Sequence, residues 1–389
     1  MRICGIVAEY NPFHSGHAHH IILSRRVTGA DIIVCAMSGS YVQRGEPAIL
    51  DKWTRAACAI AGGADAVIEL PMLFAIQSAE GFSAGGVRTL AAAGCTDLCF
   101  GCETDNLSLL SNIAQTVAEE DDAFSDRLKS HLAAGSSFAR ARALAADAPE
   151  VTSMPGAILG VEYLKAINQY APSIIPHVVK REGAGYHSPD ISAYLPSATA
   201  IRRALAEGCI ADALAAMPSD CASIVRTAFT DGLSPVYPNA FDAALVHTLR
   251  LRGVKYIEQL PDVTEGLENR IYAAALQCNT REEIIARVKT KRYAYSRISR
   301  ILLCALLGIT RDMISAYNAA PISHIRVLAA RDSSVMSALS GAAAVPLVTS
   351  AASPLYPAID AASTGVWALT QTKPPYNVAD RDFTQRLLI

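Results

Sequence analysis

Ile3-Cys4-Gly5-Ile6-Val7-Ala8-Glu9-Tyr10-Asn11-Pro12-Phe13-His14-Ser15-Gly16-His17 is the stretch on which the fold of this chain turns. The apolar run Ile3–Ala8 is short and bounded, as a buried strand is. Asn11-Pro12 breaks it, and His14-Ser-Gly-His17 opens an amphipathic segment, His17–Val27. Free N–H groups and the positive dipole end at a helix start attract phosphate. Gly16 admits a close backbone approach, and imidazoles three residues apart share one helix face. Such donors stabilise charge that develops on an α-phosphate during adenylyl transfer. The plainer reading is a pair of surface histidines. His-x-x-His is also half a metal site, but acid or thiol partners at useful spacing are not evident, so no resident metal is expected.

The pattern recurs along the chain. Asp31–Met37, Asp65–Leu70, Asp97–Gly101 and Ile174–Lys180 are further bounded apolar runs. Ala-rich amphipathic segments lie between them at Asp51–Ala61, Ala79–Ala92 and Leu107–Ala145. Strands alternating with helices predict an α/β fold with a doubly wound parallel sheet. Ligands in such sheets bind beyond the carboxyl ends of the strands, where His14 and His17 fall. Beyond residue 208 the strand pattern fades. Ile210–Arg226, Asn239–Leu251, Thr264–Leu276, Arg281–Lys289 and Tyr295–Leu307 read as helices, and Ile325–Ala329 as one late strand.

The chain has 389 residues, and a length of roughly 150 residues per domain predicts two to three domains. The expected division is a catalytic part over 1–207, a helical, basic part over 208–312, and a segment without an evident role over 313–389. Hydrophobic residues make up 51% and charged residues 18%, which excludes general disorder. The net charge of −2 means that any anion site must be a local basic patch. The longest uncharged stretch, 333–359 apart from its flanks, carries Pro346, Pro354 and Pro357, so no membrane span is expected. Without a signal-peptide pattern, a cytosolic protein is expected.

Two further features carry chemistry. Ser197-Ala-Thr199-Ala-Ile-Arg202 offers hydroxyls and N–H groups at a helix start with an Arg fork for β/γ-phosphates, although Ser-x-Thr-x-x-Arg is equally an ordinary cap. From Ile284 to Arg311 no acid occurs, while Arg287, Lys289, Lys291, Arg292, Arg297 and Arg300 are basic and interleaved with Tyr293 and Tyr295. Such a run supplies salt-dependent phosphate affinity and stacking rings for RNA, or else forms a solvated helix face. Cys95, Cys99 and Cys102 match the C-x3-C-x2-C spacing of radical-SAM enzymes. Their position on a strand opposes that reading, because alternate residues point to opposite faces.

His14-Ser-Gly-His17 resembles the HxGH signature of the nucleotidyltransferase superfamily, and Ser197–Arg202 resembles its second phosphate motif. Ala8–His14, Met37–Ala48, Gly63–Pro71, Phe100–Glu103, Lys180–His187, Glu265–Arg270 and Lys289–Arg297 resemble, in order, segments of the tRNA(Met) cytidine acetate ligase family. The resemblance implies that ATP and acetate form acetyl-adenylate, and that the acetyl group passes to N4 of the wobble cytidine of elongator tRNA(Met). It implies ATP contacts along Val7, Ala8, Glu9, Tyr10, Asn11, Pro12, Phe13, His14, Ser15, Gly16, His17, Ala18, His19 and His20, and at Gly101 and Arg181. It also implies Mg2+ accompanying ATP, and catalytic roles for His14 and His17. With Ser197, Thr199 and Arg202 these form the expected nucleotide site; Lys289, Lys291, Arg292, Tyr293, Arg297 and Arg300 form the expected tRNA site. Arg44 follows the second strand and could hold the triphosphate or the acetate carboxylate, or form a loop salt bridge. One departure stands out: resembling sequences have Pro-Asn-Asn where this chain has Pro155-Gly156-Ala157. A small-molecule adenylyltransferase of the same superfamily is the alternative; a pure RNA-binding module is disfavoured by the paired phosphate motifs.

Overall fold

The structure, a computed structural model, describes residues 1–119, 122–136, 141, 144–146, 154–181, 196–264, 266–291 and 293–389. Residues 182–187 of the segment begun by Lys180, together with Glu265 and Arg292, lie outside the described residues.

Five strands form where the apolar runs predict them, with ends displaced by at most one residue. They are β1 (Ile3–Ala8), β2 (Ile32–Ser38), β5 (Ala66–Leu70), β6 (Asp97–Cys102) and β7 (Ile175–Lys180). Two short strands, β3 (Tyr41–Val42) and β4 (Glu46–Pro47), make a separate hairpin. The late run becomes β8 (Ile325–Ala330), followed by β9 (Leu347–Val348). The main sheet has the order β7-β6-β1-β2-β5-β8-β9. Its first five members pair in parallel, and β8 lies antiparallel on β5. The chain leaves β1 towards β2 and β5 and later returns to β6 on its other side. That reversal of winding opens a crevice beyond the carboxyl ends of β1 and β6.

The central strands β1, β2 and β5 are buried on both faces, which is why they are almost entirely apolar, whereas the edge strand β7 is partly exposed. Cys4, Ile6, Ile33, Cys35 and Met37 join one core cluster, while Ile3, Ile32, Val34 and Ala36 join another on the opposite face. The first cluster continues into the helical half through Val225, Leu249, Ile271 and Ile301. The strand β6 shows the same alternation: Cys99 packs on one face, and Cys102 with Cys95 on the other. These three thiols point to both sides of a sheet. Among the described residues no three acids, imidazoles or thiols gather as a metal site.

Helices follow the predicted alternation at Ser15–Thr28, Lys52–Ala61 and Ala79–Ala92. The expected helix over 210–226 is instead two, Ile210–Ala215 and Ser219–Thr230. Pro218 separates them, lacking the N–H a continuous helix requires. No helix among the described residues is long and apolar enough to cross a membrane.

The last segment is built into the first. Besides supplying β8, it places Trp367 so that its Nε1 donates to Ala48 O at 2.8 Å. The fully buried Lys52 pairs with Asp382 and Glu69, each at 2.7 Å. These contacts hold the far edge of the sheet and leave the crevice at β1 and β6 open.

Candidate active site

A cavity of about 410 Å³ occupies that crevice. From β1 and its turn come Val7, Ala8, Glu9, Tyr10 and Asn11; from the first helix His14, Gly16, His17, His19 and His20. Gly101, Arg181, Ser197, Thr199 and Arg202 complete it from the later strands and the helix Ala198–Ala206. Residues nearly two hundred positions apart thus meet at one place.

His14 is the N-cap of the helix Ser15–Thr28. Its Nδ1 accepts from Gly16 N at 3.1 Å, and its own N–H donates to His17 Nδ1 at 3.3 Å. This is a capping exchange made by two imidazoles, whose rings stack at 3.7 Å. Because each Nδ1 accepts, the proton of each neutral ring sits on Nε2. Burial, reinforced by the Arg181 and Arg202 guanidinium groups, pushes His14 down to about 4. Burial, then His14 and Arg181, holds His17 well below the usual histidine range. Burial with Arg181 and His19 beside it likewise brings His20 to about 4. At neutral pH the site therefore offers uncharged imidazole donors beside permanent guanidinium charges.

Arg202 and Ser197 extend this anion-binding side. Ser197 caps its helix by accepting from Ala200 N at 3.1 Å. Arg202 donates to Asn11 O at 2.7 Å and to Thr199 Oγ1 at 3.3 Å, tying the second phosphate motif to the first. Asn11 Oδ1 in turn accepts from Ile49 N at 2.7 Å. Over Gly101 a side chain would meet Arg181 Nε at 3.2 Å, so the glycine lets Arg181 lie across the strand end.

Four residues of the predicted segment turn away from the cavity or support it. Phe13 is buried against Tyr10, with ring centroids 4.8 Å apart. Pro12 is buried too, and Ala18 packs on the core. Ser15 donates from Oγ to Ala216 O at 3.0 Å, joining the helix start to the helical half.

Glu9 also lines the cavity. Its Oε1 accepts from Gln43 N at 2.8 Å. Burial pushes its carboxyl up, against the lowering effect of that N–H, Arg44 and Arg202. Gln43, Arg44 and Glu46, carried by the β3–β4 hairpin, line the cavity here.

Sequence reasoning missed two supports. Arg55 is fully buried, and its guanidinium donates to Leu50 O at 3.0 Å, Glu9 O at 2.7 Å, Ser38 O at 3.0 Å and Gly39 O. It clamps the carboxyl ends of β1 and β2 together. The second is Glu103, whose carboxylate accepts from Gly156 N and Ala157 N, both at 3.1 Å, at the start of the helix Pro155–Tyr170. A Cβ on Gly156 would stand 2.6 Å from Glu103 Oε2, so the glycine and the acid fill one space.

The basic run divides by exposure. Lys289 and Lys291 are exposed. Arg297 donates to Asp262 O and Thr264 Oγ1 at 2.7 and 2.9 Å, with its guanidinium 5.3 Å from the centre of the buried Tyr293 ring. Arg300 is buried and pairs with Asp262 at 3.3 Å. Arg300 and Tyr293, expected at the tRNA site, are thus buried in the fold and not presented on its surface.

Neutral imidazole donors, guanidinium groups and a capped second helix at a parallel-sheet switch point define a nucleotidyltransferase-type nucleotide site. Residues 1–380 match the HIGH Nucleotidyl Transferase family. The chain is 34% identical to a tRNA(Met) cytidine acetate ligase of Acetivibrio thermocellus over the whole of both chains. It is 39% identical to one of Caldanaerobacter subterraneus, covering 84% of this chain and 83% of the relative. Crystal structures of Thermotoga maritima TmcAL superpose over all of both chains with 29% identity. The TM-score is 0.92 for the apo form and 0.90 for the form bound with alpha-thio ATP. This chain belongs to the tRNA(Met) cytidine acetate ligase family within the HIGH nucleotidyltransferases.

Proposed function

We propose that this chain is an ATP-dependent ligase that activates acetate as acetyl-adenylate and transfers the acetyl group to N4 of the wobble cytidine of elongator tRNA(Met). The observation that carries the reading is the capping exchange between His14 and His17. It fixes two neutral Nε2–H donors beside Arg181 and Arg202 in one cavity. Donors held before the reaction stabilise charge developing on the α-phosphate and the departing pyrophosphate. Ser197, Thr199 and Arg202 suit the β- and γ-phosphates, and the apolar wall with Phe100 and Tyr163 suits the base. Acetate attacks the α-phosphorus in line, and pyrophosphate leaves. The cytidine amine then attacks the acetyl carbonyl, and AMP leaves. Mg2+ would be held by the phosphate oxygens of ATP and by water, and would supply charge neutralisation on the departing pyrophosphate.

In this reading, residues 1–207 carry the chemistry and 208–312 present the tRNA. Lys289, Lys291 and Arg297 give phosphate contacts, Tyr293 and Arg300 shape the face, and Arg292 extends the basic run. A tRNA substrate also argues for a cytoplasmic setting. The test is transfer of radiolabelled acetate to bulk tRNA with and without ATP. ATP-dependent label that digests to N4-acetylcytidine is the expected result. Acetate-dependent ATP–pyrophosphate exchange without any transfer to tRNA(Met) would point to another acceptor.

A further inference from the structure

The polar side chains that line the cavity form two sets by their place in the chain, and the proposed phosphate contacts use one. His14, His17, Arg181, Thr199 and Arg202 make up the first. The second is Arg44, near the tip of the β3–β4 hairpin, with Glu9, whose carboxyl feels both Arg44 and Arg202. In-line displacement puts the attacking oxygen opposite the departing pyrophosphate. The acid to be activated must therefore sit away from the β- and γ-phosphate donors. A small monocarboxylate needs one cation to orient it, and a guanidinium fork matches both of its oxygens.

The hairpin is not a loose loop. Gly45 N donates to Val42 O at 2.9 Å, closing the turn. Ser299, fully buried in the helix Tyr295–Leu307, directs its hydroxyl at Arg44 O at 2.5 Å and Gly45 O at 3.0 Å. It accepts in turn from the Arg281 guanidinium. Gly45 sits at φ 75°, and a Cβ there would lie 2.5 Å from Arg300 N. The hairpin tip thus lies directly on the backbone of the helical half. A short loop made rigid in this way fixes the root of a long side chain.

Resting on the proposed acetate-activating function, we propose that Arg44 binds the carboxylate of the acyl substrate. Ser299 is the positioning residue that holds Arg44 in place. The helical half that receives RNA then also sets the cation that orients the acid. No bond is made by either residue; Arg44 aims one carboxylate oxygen at phosphorus while the other stays paired.

The test is acetate-dependent ATP–pyrophosphate exchange by the full chain, with and without tRNA, in Arg44→Gln, Arg44→Lys and Ser299→Ala. Loss of a charge-assisted pair predicts that Arg44→Gln raises the KM for acetate by about 10- to 100-fold. That rise should exceed any rise in the KM for ATP at least about tenfold. Arg44→Lys, which keeps charge without the fork, should fall between. Ser299→Ala should raise the acetate KM by about three- to tenfold, and Ser299→Thr, which restores a hydroxyl, should recover part of it. An unchanged acetate KM in both Arg44 variants overturns the proposal. An equal rise in both KM values overturns it too, assigning Arg44 to the triphosphate. Absence of acetate-dependent exchange in the unmodified chain would instead defeat the proposed function itself.

Discussion

His14 donates its backbone N–H to His17 Nδ1 and uses its own Nδ1 to cap the same helix at Gly16. One residue therefore does two separable jobs: it ends the helix with Nδ1 and faces the cavity with Nε2. His14→Ala should remove both, costing about 0.5–2 kcal/mol of stability and lowering ATP–pyrophosphate exchange about 10²- to 10³-fold. His14→Asn should separate them. Its Oδ1 can accept from Gly16 N, so thermal unfolding should return towards that of the parent chain while exchange stays low. Recovery of exchange in His14→Asn would show that the cap, and not the Nε2 donor, is what the reaction needs.

The depressed histidines give the fold a pH dependence of defined sign. Burial first, and neighbouring cations next, bring His14 and His20 to about 4 from an ordinary value of 6.5. Between these values the unfolded chain binds protons that the folded chain refuses, so unfolding is favoured as pH falls. Stability from this source is complete above about 6.5, declines through the window and levels off below about 4. His20 Nε2 is buried with no hydrogen-bond partner among the described residues. His20→Gln should therefore flatten the fall in unfolding midpoint between pH 6.5 and 4.5. An identical slope in the variant would mean that other groups set the acid sensitivity.

Arg55 holds three carbonyl oxygens at the ends of β1 and β2 and a fourth, Leu50 O, before its own helix, and is itself fully buried. Arg55→Met would leave those acceptors without a donor, at about 1–3 kcal/mol for each that water cannot reach. A loss of about 3 kcal/mol or more is expected in denaturant unfolding. Arg55→Lys keeps the charge but has a single ammonium for acceptors spread around a planar fork. It should be intermediate in stability and should weaken ATP binding, because Glu9 O and the turn to His14 are then less constrained. Stability within about 0.5 kcal/mol of the parent in Arg55→Met would contradict the clamp.

What could be read from the sequence and what could not follow from range. Ile3–Ala8 and Ile32–Ser38 are short apolar runs bounded by turn residues, a local property, so those strands are legible even though their alternation between two core clusters is not. So are the helix starts at His14 and Ser197, the second of which carries Arg202 one turn into its helix. The two-residue strands of the hairpin have no period to detect, and β8 shows as a strand without revealing its partner β5. Lys52 and Arg55 look like the charged start of an exposed helix, and only tertiary packing buries them. The same holds for Tyr293 and Arg300: a basic run does not say which of its members point inward.

Lys289 and Lys291 flank the entrance to the helix Tyr295–Leu307 and are exposed, unlike Arg300. Replacing both by Glu should weaken tRNA binding across sequences. It should also lower the slope of log affinity against log salt by about 1–2, one phosphate contact each. Acetate-dependent exchange without tRNA should fall far less than tRNA binding does, because neither lysine lines the cavity. Fluorescence anisotropy of labelled tRNA over a salt series measures the slope. An unchanged slope would move the RNA-binding face elsewhere.

Gly156 is the departure from resembling sequences, and its surroundings explain how the chain tolerates it. Glu103 takes the two N–H groups that open the helix Pro155–Tyr170, and its Oε2 lies where a Cβ on residue 156 would need 2.6 Å. Restoring asparagine alone should therefore not restore a nucleotide contact. Gly156→Asn must push the Glu103 carboxylate off the helix start, losing a cap of about 1 kcal/mol. The displaced acid would then enter the cavity that its side chain already borders. ATP affinity should fall in Gly156→Asn, since a freed carboxylate repels phosphate. Pairing the change with Glu103→Gln should reverse that fall, because the amide carries no charge and can still accept from the helix N–H groups. Calorimetric ATP titration of the two variants decides the matter: tighter binding in Gly156→Asn alone would mean that Glu103 yields without cost, and that the glycine is simply a lost contact.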